Sequence, residues 1–304
     1  MTFKDQTTRD IVLNVIRAQD YRHIIVNVIN EAFLETAIDF FKKVVIAKLN
    51  SKTITIDWYK EAFLNSTLST DEIATNAGLN KKTIRNIYKT GRKSVVIDAS
   101  NKHLDHLYEC IKALTQDDEN IDLTLTIKFK GISVDLNVSE SLIVINTLAV
   151  KRAALRGGAW SAAGKKAEKY IMLALCMLYQ VPEQYYSAKQ FVKDKSKAVD
   201  REVDFYFINH DGEKYRCEVK LMGKGNPESA DAIIARDSSL FVADTLSEQN
   251  KKQCDQLGVC WVQLKENEGY KRIRQAFDKF CIPYTDYNGN LDDDLPLILD
   301  KLFQ

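Results

Sequence analysis

Three charged residues interrupt two apolar stretches in the second half of the chain. Asp204 stands at the front of "REVDFYFINHDG", and Glu218 and Lys220 stand inside "YRCEVKLM". Taking such groups out of water costs several kcal/mol each unless they are paired or hold a metal. Glu218-Val219-Lys220 is the only acid-x-Lys triplet in the chain, and it lies in an apolar strand pattern rather than on a helix surface. Asp204 and Glu218 supply hard oxygen ligands of the kind Mg²⁺ takes, and the backbone carbonyl of Val219 supplies another. Lys220, on the same side of the strand as Glu218, can hold or help deprotonate a water acidified by the metal. That chemistry suits in-line hydrolysis of a phosphodiester. The alternative is an edge strand with Glu218 and Lys220 turned to water beside an unrelated Asp204.

The geometry needs a particular turn. A two-residue loop at Asp211-Gly212 pairs Asp204 with Val219 and puts it on the wrong face. A three-residue loop, His210-Asp211-Gly212, pairs it with Glu218. Loops of that length commonly place glycine in the left-handed region, so positive φ is expected at Gly212.

Upstream, "GKKAEKYIMLALC" reads as a helix over about residues 165–179, and Glu168 is its one acid. It is a further catalytic candidate; otherwise it is a first-turn residue favoured by the helix dipole. "RGGAWSAAG" before it reads as a loop. Downstream come a strand in "SLFVADTL", a helix in "SEQNKKQCDQL", a strand in "VCWVQL" and a helix in "YKRIRQAFDKF". Strands alternating with helices predict a central mixed sheet flanked by helices. "NLDDDLPLILDKLF" is expected to close the chain as a short helix. The expected division is a mainly helical part over 1–150 and an α/β part over 151–304.

In the first part, apolar residues recur at helical spacing from about Arg9 to Leu64. A hairpin is expected over 121–138, turning at Lys130-Gly131. "TDEIATNAGLNKKTIRNIYKT", residues 70–90, has the spacing of a DNA-binding helix-turn-helix. Ile73 and Ala74 face inward, Gly78 makes the turn, Leu79 plugs it, and Ile84 and Ile87 face inward from the second helix. Asn80, Lys81, Lys82, Arg85, Asn86 and Lys89 would face a major groove, where Arg and Asn read base edges and Lys neutralises phosphate. Arg92 and Lys93 follow, suited to the backbone. Without DNA, the same pattern is a helical hairpin with a solvated basic face.

The totals exclude little on the nucleic-acid side. The net charge of +1 over 304 residues gives no global polyelectrolyte signal, but a local basic surface suffices. Six scattered cysteines with no CxxC pair, and only four histidines, argue against a structural zinc or a disulfide framework. A reducing cytoplasm is the expected setting, with no signal peptide and no membrane span.

Helix with Glu168, strand with Asp204, turn, strand with Glu218-x-Lys220, helix, strand: this order resembles the PD-(D/E)xK nuclease core over about residues 157–264. The motif's proline is replaced by Val203. "RGGAWSAAGKKAEK" and "CEVKLMGKGNPESADA" look like the CfrBI-like type II restriction endonucleases. The resemblance implies Mg²⁺-dependent cleavage of double-stranded DNA at a short palindrome. It also implies a homodimer and a companion methyltransferase in the same system. Lys224 and Arg236, in the segment after the catalytic strand, would add DNA contacts. Two other functions fit the same parts: a DNA-binding regulator with an inactive nuclease-like domain, and a repair or modification-dependent nuclease.

Overall fold

The structure is a computed structural model that describes residues 2–79, 81–116, 124–188, 205–221 and 237–304. It has two compact units: Met1–Ile25 with Trp160–Gln304, and Val26–Ala159.

The second of these is mainly helical. It contains most of α2 (Arg22–Leu49), then α3 (Ile56–Phe63), α4 (Thr70–Asn76), α5 (Lys81–Tyr88) and α6 (Lys93–Gln116). Strands β1 (Leu125–Phe129) and β2 (Ile132–Leu136) form an antiparallel hairpin turning at Lys130 and Gly131, both with positive φ. Its core is continuous from Phe40, Val44, Tyr59 and Phe63 through Ile73, Ala74 and Ile84 to Leu136 and Val144. Glu140, buried near the start of α7 (Val138–Leu178), is met by Lys48 at 3.0 Å and by the backbone amides of Ile54 and Asn137. A buried charge so surrounded is tolerated because each oxygen has its donors.

The residues "RGGAWSAAG", expected as a loop, lie inside the 41-residue helix α7. Two adjacent glycines cost about 1 kcal/mol each against alanine in a helix. Alanines and long straight-chain residues on both sides outweigh that cost.

The other unit is built on a five-stranded mixed sheet in the order β3-β4-β5-β6-β7. The strands are β3 (Tyr186–Ser187), β4 (Phe205–Ile208), β5 (Lys214–Lys220), β6 (Leu240–Ala243) and β7 (Cys260–Gln263). β5 is the middle strand, antiparallel to β4 and parallel to β6. Phe205, Phe207, Cys217 and Val219 share one face and are fully buried. Phe207 packs edge-on against Phe277 of α9 (Arg274–Phe280) at 5.3 Å between ring centroids. On the other face, Phe241 and Ala243 of β6 pack with Leu246 and with Cys254 of α8 (Glu248–Gln256). The N-terminal helix α1 (Phe3–Ile16) joins this unit through Arg9, 2.7 Å from Asp300 of α10 (Leu291–Leu302). Asn290 caps α10, and Asp292, Asp293 and Asp294 fill its first turn, where negative charge suits the helix dipole. No helix among the described residues is long and apolar enough to cross a membrane.

Candidate active site

The β4–β5 turn sets the register on which the site depends. Phe205 pairs with Cys217, Tyr206 with Arg216, Phe207 with Tyr215 and Ile208 with Lys214. Asn209 closes the ladder, its amide donating to the Glu213 carbonyl at 3.1 Å and its Oδ1 accepting from the Asp211 and Glu213 amides. That leaves His210, Asp211 and Gly212 as a three-residue loop, with Gly212 at φ +78. Both features meet the expectation. A two-residue turn would have moved every side chain of β5 to the opposite face relative to β4.

In this register Glu218 and Lys220 share a face at the carboxyl end of the central strand, where open α/β sheets place their sites. Glu218 pairs with Phe241 and Lys220 with Ala243, both apolar and fully buried. Glu218 is 1% exposed, and the Lys220 ammonium lies 2.8 Å from its Oε1. The same ammonium lies 3.8 Å from Oε2 of Glu168. Glu168 is itself buried, and its Oε1 accepts from the Leu221 amide at 3.4 Å. The helix thus brings its acid to the end of β5. The first-turn explanation for Glu168 falls, because α7 begins at Val138, thirty residues earlier.

Two carboxylates gathered on one ammonium make a cluster of hard oxygens with more acids than cations. That donor set fits a divalent cation such as Mg²⁺. The described residues hold no group of three or more His, Cys, Asp or Glu placed to bind a metal. Val219 is fully buried. Asp204, Lys224, Arg236 and Asn80 lie outside the described residues.

Composition gave no hint of Asp244, a fully buried acid just past the end of β6. Its amide donates to the Lys220 carbonyl at 3.3 Å, and its Oδ2 accepts from the Tyr21 hydroxyl at 3.0 Å. The available signal was the one that marked Glu218: an acid closing an apolar strand, here "LFVAD". Cys176 and Cys217 are also fully buried, and burial pushes both thiols well above their ordinary pKa. They stay protonated and are poor nucleophiles.

The α4–α5 segment is built from its caps. Ser69 and Glu72 form a reciprocal capping box at the start of α4. At its end Gly78 takes φ +76, its amide donates to the Thr75 carbonyl, and the Leu79 amide reaches back to Ala74 at 2.8 Å. This is a Schellman stop, which needs a left-handed residue where Gly78 stands. Ile73, Ala74 and Ile84 are buried, and Leu79 packs against the same core. Ile87 corrects its expectation: it is 66% exposed. Three residues past Ile84, it lies about 60° away around an α-helix, at the edge of the packed face. Arg85, Asn86, Lys89 and Arg92 are exposed, Lys81 and Lys82 open α5, and Lys93 opens α6.

The family model that matches the chain is that of a restriction endonuclease, an enzyme that hydrolyses phosphodiester bonds of DNA. The match is to the CfrBI restriction endonuclease over residues 5–251, and the chain belongs to that family. No curated protein and no solved structure matches it.

Proposed function

We propose that the chain is a Mg²⁺-dependent type II endonuclease that cuts double-stranded DNA at a short palindrome. In this reading Glu218, Lys220 and Glu168, with Asp204, form the hydrolytic centre. The observation that carries it is Lys220 held 2.8 Å from buried Glu218 and 3.8 Å from Glu168 at the end of the central strand. With Asp204 as the further acid, the set matches the PD-(D/E)xK motif that the sequence resembles. Asp204, Glu218 and the Val219 carbonyl would hold the metal. When bound, Mg²⁺ supplies charge stabilisation to the phosphate and acidifies a water. Lys220 orients that water and offers positive charge to the developing phosphorane. Glu168 fixes Lys220 from the helix side.

In the same reading α4 and α5 are a helix-turn-helix. Arg85 and Asn86 read base edges; Asn80, Lys81, Lys82, Lys89, Arg92, Lys93, Lys224 and Arg236 contact DNA around them. A two-fold DNA site calls for a homodimer, and a companion methyltransferase would protect host DNA.

The test pairs binding with cleavage. Plasmid DNA, unmodified and modified, is digested in Mg²⁺ and the ends are mapped; affinity for the mapped site is measured in Ca²⁺. Lys220→Met should lose cleavage by about 10²–10³-fold or more, the scale of removing one preorganised charge-stabilising group, and keep specific binding. Near-parental cutting by this variant would sink the assignment.

A further inference from the structure

Within the Val26–Ala159 unit, three cations are laid on aromatic rings rather than on carboxylates. Lys43 Nζ of α2 lies 4.5 Å from the centre of the Phe63 ring, and Lys151 Nζ of α7 lies 5.9 Å from the same ring. The Arg152 guanidinium lies 5.3 Å from the Phe33 ring and donates to Asn30 Oδ1 at 3.0 Å. Nearby lysines of α2 are neutralised: Lys42 by Asp39 at 3.1 Å and Lys48 by Glu140 at 3.0 Å. Among the described residues no carboxylate lies within ion-pair distance of Lys43, Lys151 or Arg152.

The place matters as much as the charge. Val150 packs against the α4–α5 turn so closely that a Cβ on Gly78 would lie 2.9 Å from its Cγ1. Lys151, the next residue, hydrogen-bonds the Asn76 side chain at the end of α4. The rest of Asn76 is engaged there too: its backbone carbonyl accepts from the Tyr59 hydroxyl at 2.7 Å, and its Nδ2 donates to the Phe63 carbonyl at 2.7 Å. Two ammonium groups over one ring repel each other. Burial and the charge of Lys43 together lower the Lys151 pKa to about 8, with Glu72 opposing the shift. An aromatic support orients a cation without supplying a full opposite charge, so the cation keeps its net charge for an anion. In helix-turn-helix proteins the first helix crosses the DNA backbone.

We propose that Lys43 and Lys151, over one ring beside the α4–α5 turn, seat a phosphate of the DNA backbone, with Arg152, beside Phe33 further back along α2, meeting another phosphate, giving affinity independent of base sequence. This rests on the reading that the unit binds DNA. The test uses the full chain and a short non-cognate duplex in EDTA, with affinity measured across salt concentrations. Each lost phosphate contact should lower the slope of log affinity against log salt by about 0.9. Lys43→Gln and Arg152→Gln should each do so and weaken all sequences alike; Lys43 is exposed, so its variant should fold normally. Lys151→Gln should lose the contact and Lys151→Arg should keep it. Lys102→Gln on α6, where Asp98 already pairs the lysine at 3.0 Å, should leave the slope unchanged. A parental slope in the Lys43→Gln/Arg152→Gln protein, or losses confined to one sequence, would overturn the seat while leaving base reading by Arg85 intact. A parent that binds no DNA would overturn both.

Discussion

Charge is handled in opposite ways in the two units. At the end of β5, Glu218 and Glu168 are buried and converge on one lysine. On α5, Arg85 and Asn86 stand in water on a helix held from beneath by buried Ile84. The first arrangement is costly in the free protein and is held by the fold around it. The second costs little until a partner arrives. On the proposed assignment the contrast has a reason: chemistry on a phosphodiester gains from groups fixed before the substrate binds, whereas reading a surface gains from groups that stay accessible.

Removing a cation should therefore have different consequences in the two places. Lys220→Met leaves Glu218 buried without its partner and should cost up to about 3 kcal/mol of stability, read as a shift in denaturant midpoint. Glu218→Gln/Lys220→Met should recover part of that loss, since only Glu168 then stays charged where the ammonium was. If the double variant is as unstable as both single losses added, the two residues are not coupled.

Gly78→Ala comes next. A side chain at φ +76 costs about 1–2 kcal/mol, and the approach to Val150 adds an overpacking cost of about 1 kcal/mol or more. Val150→Ala in the same chain should relieve the second part only. Gly212→Ala is the matched control: its φ is +78, but nothing lies within 4 Å of the added Cβ. It should cost about 1–2 kcal/mol from conformation alone. Equal losses at the two glycines would mean that Val150 yields freely.

The smallest stability effects belong to α5. Arg85→Ala and Ile87→Ala should each change stability by less than about 0.5 kcal/mol, as exposed substitutions do. Arg85→Ala should still cost about 1–3 kcal/mol of binding at one base position. A uniform loss across sequences would instead make Arg85 a phosphate contact.

The sheet was legible because chemistry constrained its register. Once the acids and lysine had to share a face, the loop had to be His210-Asp211-Gly212 with Gly212 left-handed, and it is. The α4 stop was legible because Gly78 and Leu79 stand where a Schellman turn needs them. Three features were not. Ile87 looked like core because an apolar residue three positions after a buried one usually is. The "RGGAWSAAG" segment looked like a loop because paired glycines are strong local punctuation, yet neighbouring helix formers carry α7 through it. Asp244 was hidden because a lone acid after an apolar strand carries no partner in the sequence; Tyr21, which meets it, is 223 residues away.

The placement of β5 has a consequence for how the enzyme ages. Its backbone is bonded to a neighbour on both edges, β4 on one side and β6 on the other. Amides in such a strand exchange with solvent only when the whole unit opens, so their protection reports the global free energy of unfolding. Glu218 and Lys220 ride on that strand and share its lifetime. Partial fraying elsewhere should leave them in place, and on the proposed assignment cleavage should not outlast the denaturant concentration at which the sheet melts.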